Sequence, residues 1–238
     1  MPHIDVSELM SRATGLEATG ALYYPVNWGK LIIFATVGYD QDPVNPLEDC
    51  DGMGHIHSFN TRHNNFLKLN ADSKEEAIEE LKADYDDHVI LGYFEHGNCD
   101  WHISGNKPAG TEGDYQWDGE SFAGIWVPDD ALKTEAEELE GDARAAKMRE
   151  WASRACRAYT TYCNGQVYEY QVWAYTARFE GEEMYDELSD YRMTDPLAED
   201  SLCGIYDDDD GYLQGQVNDS ITTCLKAAKA KLTAKDIT

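Results

Sequence analysis

Runs of apolar and β-branched residues along the chain predict five β-strands. The clearest are residues 30–38, which are almost continuously apolar, and residues 166–179, in which large side chains alternate between two faces. Shorter runs of the same kind occupy residues 88–94, 122–127 and 202–206. Their lengths are typical of strands in globular proteins.

Three further segments place apolar residues at helical spacing. The first, 73–86, opens with Ser73 in a Ser-Lys-Glu-Glu capping box. A longer helix is predicted from about residue 131 or 135 to residue 163, with Gly141 as a candidate break, and a third helix covers 217–232. On the apolar stripes of the first two helices, the residues expected in the core are Ile78, Leu81, Trp151 and Tyr159.

The predicted strands and helices do not alternate regularly, as they would in a doubly wound fold. The order favours an α+β fold, an antiparallel sheet of about five strands with about three helices packed on it. No internal repeat or Gly/Ser linker is visible. We therefore predict one compact domain over residues 1–238, with residues 1–20 as a loose lead-in.

The composition is strongly acidic, with 46 Asp and Glu against 19 Lys and Arg and a net charge of −27. A hydrophobic content of 42% and an aromatic content of 11% are too high for a disordered acidic chain. No apolar run approaches the roughly 18 residues of a membrane span, and the first residues do not resemble a signal peptide. These features predict a cytoplasmic protein that binds neither nucleic acid nor anionic lipid directly, because phosphate binding needs a basic surface.

The acids are densest between residues 178 and 210, where only two arginines oppose thirteen acids. Such a stretch is explained either by solubility or a salt-rich environment, or by a surface made negative for a positively charged partner. The acids predicted to contact that partner are Glu180, Glu182, Glu183, Asp186, Glu187, Asp190, Asp207, Asp208, Asp209 and Asp210.

Motifs of nucleotide binding and of Ser-based hydrolysis are absent. Two loop segments hold residues that zinc can bind. His55, His57 and His63 lie in the first segment, and His96, Cys99 and His102 in the second. Neither has standard zinc spacing, and none of the six cysteines forms a CxxC pair, which favours reduced thiols. We predict no enzyme activity, no cofactor and no metal. A metal-dependent enzyme that uses His55/His57 or Cys99/His102 is the weaker alternative.

Four segments combine glycine turns with aromatic residues. Together they resemble a family of uncharacterised acidic proteins encoded by bacteriophages and mobile elements. Glu169 and Asp207 depart from the family pattern, which has glycine at both positions. The resemblance implies a shared fold and a phage context, and it brings no catalytic residues. The segments are 40–54, 117–127, 159–168 and 201–206.

The charge and the implied phage context together predict an inhibitor of a host DNA- or RNA-binding defence or processing complex. It would act in the host bacterial cytoplasm by nucleic-acid mimicry, as an anti-restriction or anti-CRISPR protein, and would bind the basic surface of its target. The alternative of another class is a non-enzymatic interaction or regulatory protein of a phage.

Overall fold

The computed structural model describes residues 5–6, 17–26, 29–48, 51–111, 114–178, 196–206 and 211–232. The chain divides into two compact units. Unit 1 combines residues 1–42 with 167–238, and unit 2 is the intervening stretch 43–166. The single domain predicted over 1–238 stays a prediction, because two compact units can still fold as one cooperative domain.

The described residues form eight strands and five helices. The strands are β1 (Glu17–Val26), β2 (Gly29–Tyr39), β3 (His55–Ser58), β4 (Val89–His96), β5 (Asn98–Ile103), β6 (Gly119–Val127), β7 (Tyr168–Arg178) and β8 (Ala198–Ile205). The helices are α1 (Lys74–Asp84), α2 (Tyr115–Asp118), α3 (Asp130–Glu135), α4 (Gly141–Cys163) and α5 (Tyr212–Lys231).

Unit 1 is an antiparallel sheet of order β1-β2-β7-β8 with α5 on one face. Alternate residues of β2 and β7 point to that face, as strand geometry requires. Residues of α5 at helical spacing cover them. The buried cluster contains Leu31, Ile33, Ala35 and Val37 of β2, Tyr170, Val172 and Ala174 of β7, and Leu213, Val217, Ile221, Cys224 and Ala228 of α5.

Unit 2 is a second antiparallel sheet, of order β3-β6-β4-β5. One face packs against α4, in a cluster that includes Trp126 of β6 and Trp151 of α4. The opposite face holds Ile125 and Val127, which pack with Leu81 of α1. Neighbouring residues of β6 therefore serve two separate layers, because successive side chains of a strand point to opposite faces.

The α+β class with antiparallel sheets is confirmed, and the number of elements differs from the prediction. The additional strands are β1, β3 and β5. β3 and β5 are short and lie in stretches predicted as loops, while β1 includes residues 17–20 of the predicted lead-in. β3 pairs with β6, which is distant in sequence, whereas β1 and β5 form hairpins with β2 and β4. The polar residues of β3 and β5 obscure the alternation of apolar and polar positions that predicts a strand.

The helix predictions are confirmed in position, with shifted ends. Gly141 does break the long helix, since its φ of 54° lies in the left-handed region that glycine tolerates best, and α4 begins there. Ser73 caps α1 by accepting from the Glu76 N–H at 3.2 Å. Glu76 in turn accepts from the N–H of Asp72, at 3.0 Å. α5 begins at Tyr212, five residues before its predicted start.

The predicted core residues are buried with one exception. Trp151, Tyr159 and Leu81 are at most 9% exposed. Ile78 is only half-buried and lines an open cleft, so its placement in the core was wrong. α1 buries Ala77 and Leu81, four residues apart, and Ile78 is rotated by about 100° away from Ala77.

Two of the glycine motifs are explained by backbone contacts. Gly52 and Gly54 have φ values of 82° and 67°, and their N–H groups donate to Asp129 at 2.8 and 2.9 Å. The N–H of Gly204, with a φ of 68°, donates to Asp40 at 3.0 Å. The first contacts tie the loop before β3 to the N-cap of α3, and the last ties β8 to the loop after β2, so these motifs are structural.

The core of unit 2 can be tested with a matched pair of tryptophans. We expect Trp151→Ala to lower the free energy of unfolding by about 3–5 kcal/mol, because a large buried side chain is lost and a cavity remains. Trp117→Ala is the control, since that side chain is 80% exposed, and it should change stability by less than about 0.5 kcal/mol. Urea denaturation measures both. If the two substitutions lowered the free energy of unfolding by similar amounts, the assignment of Trp151 to the core would be contradicted.

Candidate functional site

The ten acids predicted to bind a partner lie outside the described residues, so their placement stays a prediction. They are Glu180, Glu182, Glu183, Asp186, Glu187 and Asp190 in one group and Asp207, Asp208, Asp209 and Asp210 in the other. Two acidic surfaces in unit 2, which the sequence did not single out, lie within the described part of the chain.

The first surface is the α1 acidic stripe, formed by Glu75, Glu76, Glu79 and Glu80. Residues four apart lie on the same side of a helix, and this side is opposite the buried Ala77 and Leu81. Glu76 and Glu80 accept backbone N–H groups, from Asp72 and Asn70, at about 3.0 Å. These bonds hold two of the four carboxylates in place.

The second surface is organised by Arg144 of α4. Its guanidinium donates to both carboxylate oxygens of Asp87, at 3.0 Å from Nε, and to the backbone carbonyls of Ala136 and Leu139. A single side chain therefore joins the segment after α1 to the segment between α3 and α4.

Exposed acids flank the contacts of Arg144 on both sides. Within the described residues none of them forms a salt bridge, whereas Glu79 and Asp130 pair with nearby lysines. We call this group the Arg144 acidic patch. It consists of Asp84, Asp86, Glu135, Glu137, Glu138 and Glu140.

The three histidines of the first predicted zinc cluster do not converge. His55 and His57 are two residues apart on β3 and share one face of the strand. Ser58, on the other face, is fully buried, and its Oγ lies 2.7 Å from His63 Nδ1. Burial, and then the neighbouring His55, lower the pKa of His57, which therefore favours the neutral imidazole.

The second predicted cluster is also divided by strand geometry. Cys99 and His102 are three residues apart on β5, so their side chains point to opposite faces. His102 Nδ1 lies 3.0 Å from Asp100 Oδ1, and Nε2 lies 2.9 Å from the hydroxyl of Tyr115. His96 lies 2.9 Å from Asp118. The Cys99/His102 alternative therefore fails as one metal site.

Across the described ranges, no three His, Cys, Asp or Glu side chains are grouped so that they could hold a metal ion. The weaker alternative, a metal-dependent enzyme using these clusters, thus gains no support from their geometry. That the protein lacks metal and catalytic activity stays a prediction.

A cleft of about 310 Å³ opens on the Cys99 face of β5, against the C-terminal end of α4. Its walls include the rings of Tyr93 and Trp101, whose centroids are 4.8 Å apart. Cys163 of α4 faces the same space. The pairing of Cys99 with Cys163 was not predicted from the sequence. Spacing alone places Cys163 on the same side of a helix as Tyr159, and Cys99 on the same face of a strand as Trp101.

Comparison with known proteins gives no match to any family model, curated protein or solved structure. The resemblance to phage-encoded acidic proteins therefore stays a prediction. None of the helices in the described residues is long and apolar enough to cross a membrane.

The ion pair at the centre of the acidic patch gives a pH-dependent test. The hydrogen bond from Arg144 lowers the pKa of Asp87. A carboxyl group with a lowered folded-state pKa stabilises the fold above its unfolded pKa of about 3.9, and this contribution is lost as the pH falls through the folded value. We expect Asp87→Asn to be less stable than wild type at pH 7, with the difference closing below about pH 4.

Asp86→Asn is the matched control, because it removes the same charge from an exposed neighbour that forms no salt bridge within the described residues. It should leave stability unchanged or slightly raised at pH 7. Thermal melts of the three proteins from pH 2 to pH 7 make the comparison. A difference between wild type and Asp87→Asn that is constant over this range would contradict the assigned ion pair.

Proposed function

We propose that the protein is an acidic, phage-encoded inhibitor of a host DNA- or RNA-binding defence or processing complex. It occupies the basic nucleic-acid channel of its target by mimicking a phosphate backbone. In this proposal it works by binding alone in the host bacterial cytoplasm, without catalysis or a cofactor. The observation that supports it best is a large acid excess in both units, including exposed carboxylates that form no salt bridge within the described residues.

The acid excess is distributed over the whole chain. Residues 43–166, which form unit 2, contain 25 acids and 11 bases, and the rest of the chain contains 21 acids and 8 bases. Neither unit neutralises the other. Such a charge destabilises the folded chain by self-repulsion, so a function that requires negative charge offers a reason for keeping it.

The α1 acidic stripe has a charge density close to that of DNA. Its four carboxylates occur within six residues, or about 9 Å of helix axis at 1.5 Å per residue, which is about one charge per 2 Å. B-DNA carries one charge per roughly 1.7 Å of axis. Lys74 and Lys82 reduce the local net charge, and Lys82 pairs with Glu79.

The Arg144 acidic patch extends this negative surface near the end of α1. Its six carboxylates have no salt-bridge partner among the described residues, and they outnumber the nearby cations Arg144 and Lys133. Exposed charges attract an oppositely charged surface before contact and raise the rate of association, an effect that salt screens.

Two separate observations support a host nucleic-acid-binding complex as the target. The charge supports a basic partner of any kind. The resemblance to phage-encoded proteins supports a host nucleic-acid machine, because phages encounter such machines on entry. The predicted groups at 180–190 and 207–210 remain candidate contact surfaces beside the two in unit 2.

The test is a pull-down from a bacterial lysate with wild type and charge-neutralised variants. One variant carries Glu135→Gln, Glu137→Gln, Glu138→Gln and Glu140→Gln, and others neutralise the α1 stripe and the two predicted groups. The control removes four exposed acids that are scattered over both units, Asp42, Glu48, Asp114 and Asp219. It changes the net charge as much as each four-acid variant does, and it leaves every cluster in place.

We expect single neutralisations to have little effect, because each exposed charge contributes modestly. Neutralising a contacting cluster should abolish capture of a DNA- or RNA-binding protein, while the scattered control retains it. Wild-type binding should weaken steeply with salt, and duplex nucleic acid should displace the protein from its partner. Thermal melts should show the cluster variants outside α1 as stable as wild type or more so, whereas the α1 variant weakens the contacts of Glu76, Glu79 and Glu80 and should be slightly less stable.

Undiminished capture after all four clusters are neutralised would refute mimicry. A partner that binds equally well at high salt, or one that duplex nucleic acid does not displace, would favour the alternative of an interaction protein of another kind.

A further inference from the structure

The C-terminal end of α4 is fastened to β5, an edge strand of the unit 2 sheet in the described residues. The side-chain amide of Asn164 donates to the carbonyl of Cys99 and accepts from its N–H, both at 2.9 Å. Two residues along, the N–H of Trp101 donates to Thr160 Oγ1 at 2.9 Å. These bonds replace a neighbouring strand and bring residue 163 beside residue 99.

The two thiols in this cleft differ from the other described cysteines. Cys163 is exposed and Cys99 half-buried, and both line the same cleft. Cys156 and Cys224 are only 2% and 1% exposed and are closed to reagents. Cys203 is exposed but lies in unit 1, on β8, which makes it a natural control.

We propose that Cys163 and Cys99 form a thiol–disulfide exchange site, with Cys163 as the attacking thiol, Cys99 as the resolving thiol and a low-molecular-weight disulfide as the substrate. The site is independent of the acidic surfaces, and it adds a redox activity to a protein whose proposed function needs none.

The surroundings of the cleft shift the pKa values of the two cysteines in opposite directions. Donation from Cys99, and also from the Tyr159 hydroxyl, lowers the pKa of Cys163 against the opposing effect of burial. The pKa of Cys99 is raised, first by its hydrogen bond to Cys163 and then by burial. Cys163, which is also the more exposed thiol, is therefore the first of the pair to ionise to the thiolate, the form that reacts with disulfides.

The reaction needs no oxidant other than the external disulfide. The Cys163 thiolate attacks one sulfur of R–S–S–R, forms a mixed disulfide and expels RS⁻, which takes a proton from water. The charge that raised the pKa of Cys99 is now gone, so Cys99 loses its proton more easily. Its thiolate attacks Cys163 Sγ and expels the second RS⁻. Two protein thiols are oxidised, and one external disulfide is reduced to two thiols.

The surroundings of the cleft determine which disulfides react. The titratable groups that face the thiol pair are Arg62, His63, Tyr93, Glu95, Asp100 and Tyr159. Among these groups two acids, Glu95 and Asp100, face one fixed cation, Arg62, and the chain as a whole carries a net charge of −27. This negative charge attracts cations. Cationic disulfides should therefore react faster than anionic ones.

The experiment treats the reduced protein with cystamine, a cationic disulfide, or with oxidised glutathione, an anionic one, and maps the products by peptide mass spectrometry. We expect a Cys99–Cys163 disulfide, formed more than about tenfold faster than any modification of Cys203, because thiolate character sets reactivity. Cystamine should be faster at low salt, and added salt should reduce the difference.

Variants separate the two roles. Cys99→Ser should accumulate the mixed disulfide on Cys163, and Cys163→Ser should abolish fast reaction. Cys203→Ser should behave as wild type. Tyr159→Phe removes one donor, so its pH–rate profile should shift to higher pH while the disulfide still forms.

The proposal is overturned if wild type forms no Cys99–Cys163 disulfide, keeps the mixed disulfide on Cys163, or reacts as fast at Cys203. These measurements on wild type remain decisive if a variant fails to fold. They are also independent of partner capture, so failure of the inhibitor proposal would leave this result standing.

Discussion

Burial of one face of an antiparallel sheet beneath a long amphipathic helix is the constraint on which each unit depends. In unit 2 that helix is α4, and its apolar stripe from Met148 to Tyr159 forms much of the core. The position of α4 also determines where its polar ends lie. Arg144 near the N-terminal end gathers the acidic patch, and Cys163 at the C-terminal end reaches the Cys99 cleft. The two features are 19 residues apart on α4, about 28 Å of helix axis, so they can act separately.

The charge of the chain opposes this burial. An acid excess in both units raises the energy of any compact state, and the cores must offset it. The carboxylates are accommodated on helix surfaces and at segment ends, where water solvates them, and several accept backbone N–H groups. Local order of this kind gives a negative surface a defined shape, which recognition of a basic channel would require.

Much of the fold could be predicted because its strongest signals are local. The continuous apolar run of β2, the alternation of β7 and the helical stripes of α1, α4 and α5 each reflect a period imposed by backbone geometry. Gly141 and Ser73 acted as expected because left-handed φ and helix capping are properties of single residues. β3 and β5 were missed because their pairing partners on β6 and β4 stabilise sequences rich in His, Asn and Asp.

The features of the candidate sites also fall into those set by local sequence and those set by tertiary contacts. The amino-acid sequence by itself determined the net charge, the α+β class and the helix starts set by Ser73 and Gly141, because these depend on composition and on neighbouring residues. Only the tertiary structure decided which side chains meet. Strand alternation separated Cys99 from His102, the docking of α4 brought Cys99 to Cys163 across 64 positions, and Arg144 joined Asp87 to the carbonyl of Ala136. Such contacts depend on the direction of each side chain and on packing between elements distant in sequence, and spacing along the chain records neither.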